Sequence, residues 1–593
     1  MANLSGRASL VHHYLHLQRQ PATAVAGLAR AHGEGARDDL RPAAAADGRL
    51  ESGRDATAVD RFARAHDEAA AAGGPALTGR YSALMPATPP GEGQQYAFDV
   101  DLDACSGCKS CVAACHAMNG LEDDESWRDV GLLHGGGDSE PVMQHVTTAC
   151  HHCLDPACMH ACPVDAYEKD PATGIVKHLD DQCFGCQYCT LACPYDAPKY
   201  SAAKGIVRKC DMCSDRLAEG EAPACVQSCP GEAIRIRVGD ADHVVEESET
   251  NLFVPGAPEP EITLPTTTYR TARVLPRNMV PADYYSVSPT APHWPLIVML
   301  ALTQMSVGAF LVEQVLGLVA PTALMAAIRP LHSASALVFG LLALAVSVLH
   351  LGRPQYAFRA VIGLRHSWLS REIVAFGLFA GLAVSYAAWP WVGARLGAAG
   401  GGAPPWLGWT VAGVGVAGIG CSVMVYQFTR KDFWNGWSTG CKFLLTAAVL
   451  GLAAAWLSLM ITAAWTESTA SAAALERYGP ALCRALIGAA ALKLAFEAAL
   501  FRHLAARSTT SLKRTALLMS GALSQVTAAR FAAGVVGGIA MPVLVLLSRT
   551  PAGQDVMLAP FVAMLFVACL AGELLERYLF FAAVASPKMP GGV

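Results

Sequence analysis

Four short runs of cysteine constrain this chain more than any other feature of its sequence. Sixteen of its 20 cysteines lie between Cys105 and Cys229, and the other four stand singly in apolar sequence further on. The runs are Cys105-x2-Cys108-x2-Cys111-x3-Cys115, Cys150-x2-Cys153-x4-Cys158-x3-Cys162-Pro163, Cys183-x2-Cys186-x2-Cys189-x3-Cys193-Pro194 and Cys210-x2-Cys213-x11-Cys225-x3-Cys229-Pro230. Because the spacing is so regular, the thiols must be gathered into groups by the fold.

The spacing favours iron–sulfur clusters over zinc or disulfide bonds. In the run C-x2-C-x2-C-x3-C-P, three thiolates bind one [4Fe–4S] cluster and the fourth binds its neighbour. The third run matches this pattern, and the first differs only by having His116 in place of proline. Zinc ribbons use isolated C-x2-C pairs. An extracellular disulfide framework would follow a secretory signal, and the first residues contain no uninterrupted apolar core of that kind.

Sixteen thiolates at four per cluster predict four [4Fe–4S] clusters in series, which would act as a wire for single electrons. If paired runs exchange their fourth cysteine, we expect the outer two runs to pair and the inner two to pair. The expected ligand sets are Cys105, Cys108, Cys111 and Cys229; Cys210, Cys213, Cys225 and Cys115; Cys150, Cys153, Cys158 and Cys193; and Cys183, Cys186, Cys189 and Cys162.

The composition along the chain predicts four parts. Residues 1–94 are Ala-, Gly- and Arg-rich and are expected to be a largely disordered extension. Residues 95–250 are expected to form an α+β ferredoxin-like domain, with short strands in GIVKHLDD and AIRIRV and with 119–145 as a surface loop or a docking surface. Residues 251–293 are proline-rich and predict a linker or a strap. Residues 294–585 form the membrane part.

The membrane part accounts for the apolar composition, which is 53% hydrophobic and only 16% charged. Apolar stretches of transmembrane length recur after Pro292. The expected spans are 294–320, 331–350, 372–392, 406–427, 441–464, 480–500, 531–548 and 556–583. We therefore predict an all-α bundle of eight transmembrane helices.

Charge distribution predicts the orientation. Basic residues are concentrated in the loops after the second, fourth and sixth spans, which places those loops and both termini on the cytoplasmic side of a bacterial inner membrane. The cysteine domain would then face the cytoplasm. Two alternatives stay open: export with a signal-bearing partner, and basic loops that bind the docked domain instead. The net charge of −5 argues against a nucleic-acid partner.

Ionisable residues near the membrane face predict a quinone site. His350 ends the second span and Glu372 opens the third, and together they would hydrogen-bond a quinone and relay its protons. A solvated interfacial histidine and a carboxylate at a helix start are the alternatives. We expect Lys493 and Glu497 to form a structural pair, and Glu313, Glu573 and Glu576 have no assigned role.

Haem is not expected. Axial ligation requires histidines facing each other from different helices. His332 and His350 bound the second span eighteen residues apart, so they lie about 27 Å from each other along one helix. No central histidine on another helix completes either site.

The residues resemble a known family. The cysteine runs are similar to those of the four-cluster iron–sulfur subunit of the DMSO reductase family of molybdenum enzymes. The stretches LHLGRPQYAFRAVIGLRHSWLSREI (349–373) and GELLERYLFF (572–581) resemble that family's eight-helix, quinone-oxidising membrane anchor. The resemblance covers about residues 95–585 and implies a fusion of the two subunits. The N-terminal extension and the fusion itself depart from the family pattern.

The resemblance implies roles for particular residues. His350 and Glu372 match anchor positions involved in menaquinol binding. It also implies that the inner cluster pair lies nearer the membrane, and the outer pair nearer a separate molybdopterin-containing catalytic subunit.

Three functions compete. We expect an electron-transfer and anchor subunit, without a molybdenum site of its own, that passes electrons from the quinone pool (menaquinone or ubiquinone) to a catalytic subunit in DMSO reductase-like anaerobic respiration. The alternative runs the same parts in reverse, from a substrate such as sulfite into the quinone pool. A membrane scaffold or sensor that uses clusters as structural staples is the third.

Overall fold

The computed structural model describes residues 83–250, 253–392, 403–466, 469–548 and 558–590, together with the isolated positions 68 and 71. Most of the extension predicted over 1–94 lies outside these residues. Its last part belongs to the folded domain, because Leu84 is buried and its carbonyl accepts a hydrogen bond from the Ile236 amide at 2.9 Å.

The cysteine domain is built from small sheets and short helices. Its strands are β1 (Gln94–Asp101), β2 (Asp129–Gly136), β3 (Pro141–Thr148), β4 (Tyr167–Lys169), β5 (Val176–His178), β6 (Lys199–Ser201), β7 (Ile206–Arg208), β8 (Ile234–Asp240), β9 (Thr268–Arg270) and β10 (Val280–Pro281). Its helices are α1 (Ser110–Asn119), α2 (Ala157–Ala161), α3 (Tyr188–Ala192), α4 (Ser214–Ala218), α5 (Ala224–Gln227) and α6 (Ala241–Glu249). The strands expected in GIVKHLDD and AIRIRV are present as β5 and β8.

Strand pairing gives the domain its core. The sheet orders are β8-β1-β9 and β10-β2-β3, and β4-β5 and β6-β7 are separate hairpins. In the antiparallel pair β1–β8, Phe98 lies opposite Ile236 and Val100 opposite Ile234, and all four are buried. Apolar residues therefore alternate with polar ones on this pair, as expected for a sheet with one face against a core.

Two segments expected to be irregular take part in these sheets. Residues 129–148 form the antiparallel hairpin β2–β3, so most of the segment 119–145 is a hairpin and not a loop. Residues 253–293, which we call the Pro-rich strap, contribute β9 and β10. β9 pairs in parallel with β1, and β10 pairs with β2. The strap is thus a structural part of the cysteine domain.

The membrane part is helical throughout. Its helices are α7 (Trp294–Val319), α8 (Thr322–Ser347), α9 (Trp368–Val392), α10 (Pro405–Phe428), α11 (Gly436–Thr466), α12 (Thr469–Ala498), α13 (Ser511–Ser520), α14 (Ser524–Val535), α15 (Met541–Leu547) and α16 (Ala559–Ala582). A π-helical turn, Val536–Ala540, joins α14 to α15 in one span.

Seven helices among the described residues are long and apolar enough to cross a membrane. The expected span 480–500 lies in α12, which is not one of the seven. This helix carries Arg484, Lys493 and Glu497, so it is less apolar than its neighbours. The predicted count of eight spans is therefore matched for seven helices only.

The loop between α8 and α9 binds the cysteine domain through hydrogen bonds to its backbone. The Arg353 guanidinium donates to the Asp180 carbonyl at 3.0 Å, and that of Arg359 donates to the Asp181 carbonyl at 3.1 Å. The Ser367 hydroxyl donates to the Ala161 carbonyl at 2.7 Å. Side-chain donors on the membrane part thus satisfy backbone carbonyls of the cysteine domain, which fixes one against the other.

Three glycines allow the two parts to approach closely. A Cβ on Gly185 would lie 2.9 Å from the Gly352 amide nitrogen, and a Cβ on Gly352 would lie 2.6 Å from the Gly205 Cα. Gly185 and Gly205 also have positive φ angles of 73° and 66°. Any other residue would force these backbones apart, since real Cβ contacts of that length do not occur.

Seven ionisable side chains are buried together inside the helix bundle, and we call them the buried charge cluster. Its members are Lys442, Lys493, Glu497, Arg530, Glu573, Glu576 and Arg577, each no more than 8% exposed. Lys493 lies 2.7 Å from a Glu573 oxygen but 3.7 Å from Glu497. The expected Lys493–Glu497 pair is therefore one contact of a larger network from four helices, in which Glu573 is the closer partner.

Replacing Glu573 by alanine is expected to destabilise the bundle by about 3–5 kcal/mol, because Lys493 and Arg530 then lose a buried counter-charge. Thermal unfolding of the full-length protein in detergent measures the loss. Glu476→Ala, which removes an exposed carboxylate from α12, is the control and should leave the unfolding temperature unchanged. Equal stability of both variants would mean that the network contributes nothing.

Candidate metal centres and a membrane-facing site

The fold gathers the sixteen cysteines into four sites. We number them so that the fourth is the one that faces the membrane part. The first site is Cys105, Cys108, Cys111 and Cys229; the second is Cys115, Cys210, Cys213 and Cys225; the third is Cys150, Cys153, Cys158 and Cys193; and the fourth is Cys162, Cys183, Cys186 and Cys189. The thiols of the first, third and fourth sites each line one cavity.

The second site is identified by the proximity of its thiols. Cys115 lies within electrostatic reach of Cys225 and Cys213, and Cys210 lies within reach of Cys115. Burial raises the pKa of the Cys213 thiol to about 12, with the neighbouring Cys225 adding to the effect. Thiolates therefore cannot persist here unless cations compensate them, as they do in a metal centre.

Prolines help to direct the last cysteine of each inner run away from its own run. Cys162 directly follows α2 and Cys193 directly follows α3, and each has an extended backbone because a proline comes next. As a result Cys162 lines the fourth site and Cys193 the third. The exchange of fourth cysteines between runs has a local backbone cause.

The donor set fits polynuclear clusters. Each site offers four cysteine sulfurs, the ligand set of a [4Fe–4S] cluster. Among the described residues, no three His, Cys, Asp or Glu side chains converge closely enough to share one metal ion. At the first, third and fourth sites the four thiols line a shared cavity instead, an arrangement that suits a cluster better than a single zinc ion.

One buried polar side chain lies at each junction between successive sites. Arg128 is within electrostatic reach of Cys111 in the first site and of Cys225 in the second. Lys209 reaches Cys210 in the second and Cys150 in the third. The four sites are thus neighbours in series along the domain.

The third junction is formed by a neutral group. Tyr167 lies within electrostatic reach of Cys158 in the third site and of Cys189 in the fourth. This side chain is 4% exposed, so the space between these two sites excludes bulk water.

The fourth site faces the membrane part. Gln187 and Tyr188 stand between its ligands Cys186 and Cys189. The Gln187 amide donates to the His350 carbonyl at 3.4 Å. The Tyr188 hydroxyl donates to the Val425 carbonyl at 2.9 Å, inside the helix bundle. A cysteine run thus reaches directly into the region where the sequence predicts a quinone site.

Tyr188 also links the fourth site to Glu372. Burial, with smaller contributions from the charges of Glu372 and Cys186, raises the pKa of the Tyr188 phenol. Glu372 is 4% exposed and accepts a hydrogen bond from the Ser422 hydroxyl. Both predicted quinone residues are therefore near the fourth site: the His350 backbone bonds Gln187, and Glu372 is within electrostatic reach of Tyr188.

Sequence reasoning missed the contributions of Gln187 and Tyr188, because nothing in a cysteine run marks its intervening residues. The other ionisable residues considered in the membrane part, Glu313 and His332, lie away from the fourth site. Glu313 accepts from Arg329 at 2.9 Å near the far end of α7, and His332 contacts the Ser458 hydroxyl and the Ala309 carbonyl at 3.0 Å each.

The fold and the four thiol sites define an iron–sulfur electron-transfer domain joined to a multi-pass membrane anchor. Comparison with protein-family models agrees. A 4Fe-4S dicluster domain model matches residues 141–239, and a DMSO reductase anchor subunit model matches residues 289–583.

Curated relatives specify the family. The sequence is 37% identical over 148 residues to the B subunit of the anaerobic dimethyl sulfoxide reductase of Escherichia coli, covering 24% of this protein and 72% of that subunit. It is 35% identical over 181 residues to the corresponding B subunit of Haemophilus influenzae, covering 29% and 87%. The iron–sulfur subunit of the nitrate-inducible formate dehydrogenase of E. coli is 35% identical over 174 residues, covering 26% and 59%. The protein belongs to the DMSO reductase iron–sulfur subunit family, fused here to an anchor subunit of the same system.

Proposed function

We propose that this protein passes electrons between quinol in the membrane and a separate molybdopterin-containing catalytic subunit, and that it anchors this subunit to the membrane. The observation that carries the proposal is the hydrogen bond from Gln187, next to the fourth-site ligand Cys186, to the His350 carbonyl, with Tyr188 within electrostatic reach of Glu372. Because the B-subunit relatives are named for a reductase, we infer flow from quinol to the catalytic subunit.

Four [4Fe–4S] clusters, one at each cysteine site, would supply one-electron transfer along the domain. Each site offers a complete set of four thiols. Arg128, Lys209 and Tyr167 each lie within reach of two successive sites, which supports a serial path. The ligand sets proposed are those expected from the exchange of fourth cysteines.

His350 and Glu372 would bind the quinol and accept its protons. The His350 Nδ1 contacts the Ser347 carbonyl, which leaves Nε2 as the acceptor for a quinol hydroxyl. Glu372 is held in place by Ser422 and would accept the second proton. Two electrons then leave singly by way of the fourth site, next to which both residues lie.

The catalytic subunit would dock at the first site. Cys108 is exposed and Cys105 and Cys229 are partly exposed, whereas three of the four ligands at the fourth site are buried. An electron acceptor on another protein can approach the first site most closely. The outer end of the series is therefore the exit to the partner.

We further propose that α12 crosses the bilayer as an eighth span, with Lys493 and Glu497 neutralised by the buried charge cluster. Eight spans, a bacterial inner membrane and a cytoplasmic iron–sulfur domain agree with the basic loops. Haem plays no part in this path, since the quinol site lies directly beside the fourth site.

The iron content tests the cluster proposal. The full-length protein purified from membranes under anaerobic conditions is expected to hold about 16 iron atoms, and EPR of the reduced protein to show interacting [4Fe–4S] signals. Cys115→Ser should lower the iron content and alter the second site's signal. Cys421→Ser, in the membrane part, is the control and should leave both unchanged. Zinc in place of iron would overturn the proposal.

A further inference from the structure

Lys209 lies between two cysteine sites. It follows β7, directly precedes Cys210 and is 3% exposed. Its ammonium donates to the carbonyl of Cys210 at 2.9 Å, and also to that of Val176. The same side chain lines the cavity of the third site. It therefore contacts the second site through a ligand residue and borders the third site directly.

The surroundings of Lys209 leave its charge to be balanced by the two sites. Within the described part of the protein, Lys209 takes part in no ion pair with a carboxylate. Cys150, Cys158 and Cys210 are its strongest electrostatic neighbours, ahead of the nearby Asp211 carboxylate. Burying an ammonium group is costly unless an anion compensates it. A [4Fe–4S] cluster with four thiolates is anionic, and each added electron makes it more so.

Arg128 repeats this arrangement at the junction between the first and second sites. Its guanidinium donates to the Thr147 hydroxyl at 3.2 Å, and that hydroxyl lies 3.5 Å from the Cys111 sulfur. It also stacks on Phe98, 4.6 Å from the ring centre. At the junction between the third and fourth sites, the buried polar group is the neutral Tyr167. Of the three junctions, the first two therefore hold a buried cation and the third holds a neutral phenol.

We propose that Lys209 is an electrostatic positioning residue that raises the reduction potentials of the clusters at the second and third sites and so favours the entry of electrons into this pair from the fourth site. The inference rests on the proposed four-cluster function. A nearby cation stabilises the reduced, more negative state of a cluster, and burial keeps solvent from screening it. One electron leaves the fourth site and enters the third, and no proton or other reactant is needed.

The test is an EPR-monitored redox titration of the full-length protein in membranes. Lys209→Gln removes the charge but keeps two donors for the carbonyls of Val176 and Cys210. At a fixed potential, we expect the reduced-to-oxidised ratio of two of the four clusters to fall about tenfold, equivalent to about 59 mV for a one-electron couple. The other two clusters should titrate as in the native protein.

Two further variants separate charge from structure. Lys209→Arg keeps the charge and should restore both potentials. Lys204→Met removes an exposed lysine from the loop of the β6–β7 hairpin and should change none of them. If Lys209→Gln retains all its iron and leaves every potential unchanged, the inference is wrong. If Lys209→Gln and Lys209→Arg shift the same potentials equally, side-chain shape and not charge is responsible, which also overturns it. Absence of four cluster signals from the native protein would instead contradict the proposed function.

Discussion

Glu372→Gln is expected to slow the reduction of the clusters by quinol roughly 100-fold, the typical contribution of a positioned proton acceptor. The amide keeps the size of the side chain and its contact with Ser422, but it cannot take up a proton. Stopped-flow absorbance of the clusters after mixing with a soluble menaquinol analogue measures the rate. Dithionite, which bypasses the membrane site, should still reduce the clusters fully.

The matched control for this substitution is Glu313→Gln. Glu313 is also a buried membrane carboxyl, 2% exposed against 4% for Glu372, but it pairs with Arg329 away from the cysteine domain. Its variant should keep the native rate. His350→Ala should be slow like Glu372→Gln. Native rates in both the His350 and the Glu372 variants would place quinol binding elsewhere.

Gly352→Ala is expected to separate the two halves of the electron path. The new methyl group would lie 2.6 Å from the Gly205 Cα, so the loop must move away from the cysteine domain. His350 lies two residues before Gly352 in this loop, so its imidazole would also move relative to the quinol. A displacement of about 1 Å at a reacting proton acceptor can cost roughly 100-fold in rate. Quinol-driven reduction should fall by that order while the iron content and the dithionite-reduced EPR spectrum stay native.

Gly381→Ala gives the control for the glycine contact. A Cβ at this position meets no atom within 4 Å, although Gly381 lies in the neighbouring helix α9. Its reduction rate should equal that of the native protein. If Gly352→Ala also reacts at the native rate, close contact of the two parts at this point is not required for electron transfer.

Local patterns in the sequence predicted much of this molecule. Cysteine spacing indicated four groups of thiols, because the ligands of one cluster lie mostly within one run. The length of the apolar stretches indicated the helices of the membrane part. The fusion was predicted correctly from the resemblance of 349–373 to an anchor and of the cysteine runs to an iron–sulfur subunit.

Local sequence patterns could not predict contacts between distant segments. The Pro-rich strap supplies two strands whose partners lie more than 140 residues earlier in the sequence. The buried charge cluster joins residues of four helices, and only the i,i+4 pair Lys493–Glu497 was visible as a pattern. Tyr188 gained its position from the docking of the two domains, which no local signal encodes.

The basic loop after α8 contributes both to the membrane orientation and to docking of the cysteine domain. Arg353 and Arg359 count towards a cytoplasmic assignment of this loop under the positive-inside rule. Both also donate to carbonyls of the cysteine domain. Their charges thus serve docking as well as topology, and the other basic loops must carry more of the orientation argument.

The Pro-rich strap also alters how the two halves find each other. As separate subunits they would associate at a rate and occupancy set by their concentrations in the cell. Joined by a strap whose strands are already paired within the iron–sulfur domain, they meet at an effective concentration in the millimolar range or above. The two parts meet at Arg353, Arg359 and the three glycines. Their affinity for each other can therefore be lower than that of a stable heterodimer, and they still remain bound. The fusion also ensures that each membrane anchor is made with one set of iron–sulfur ligands.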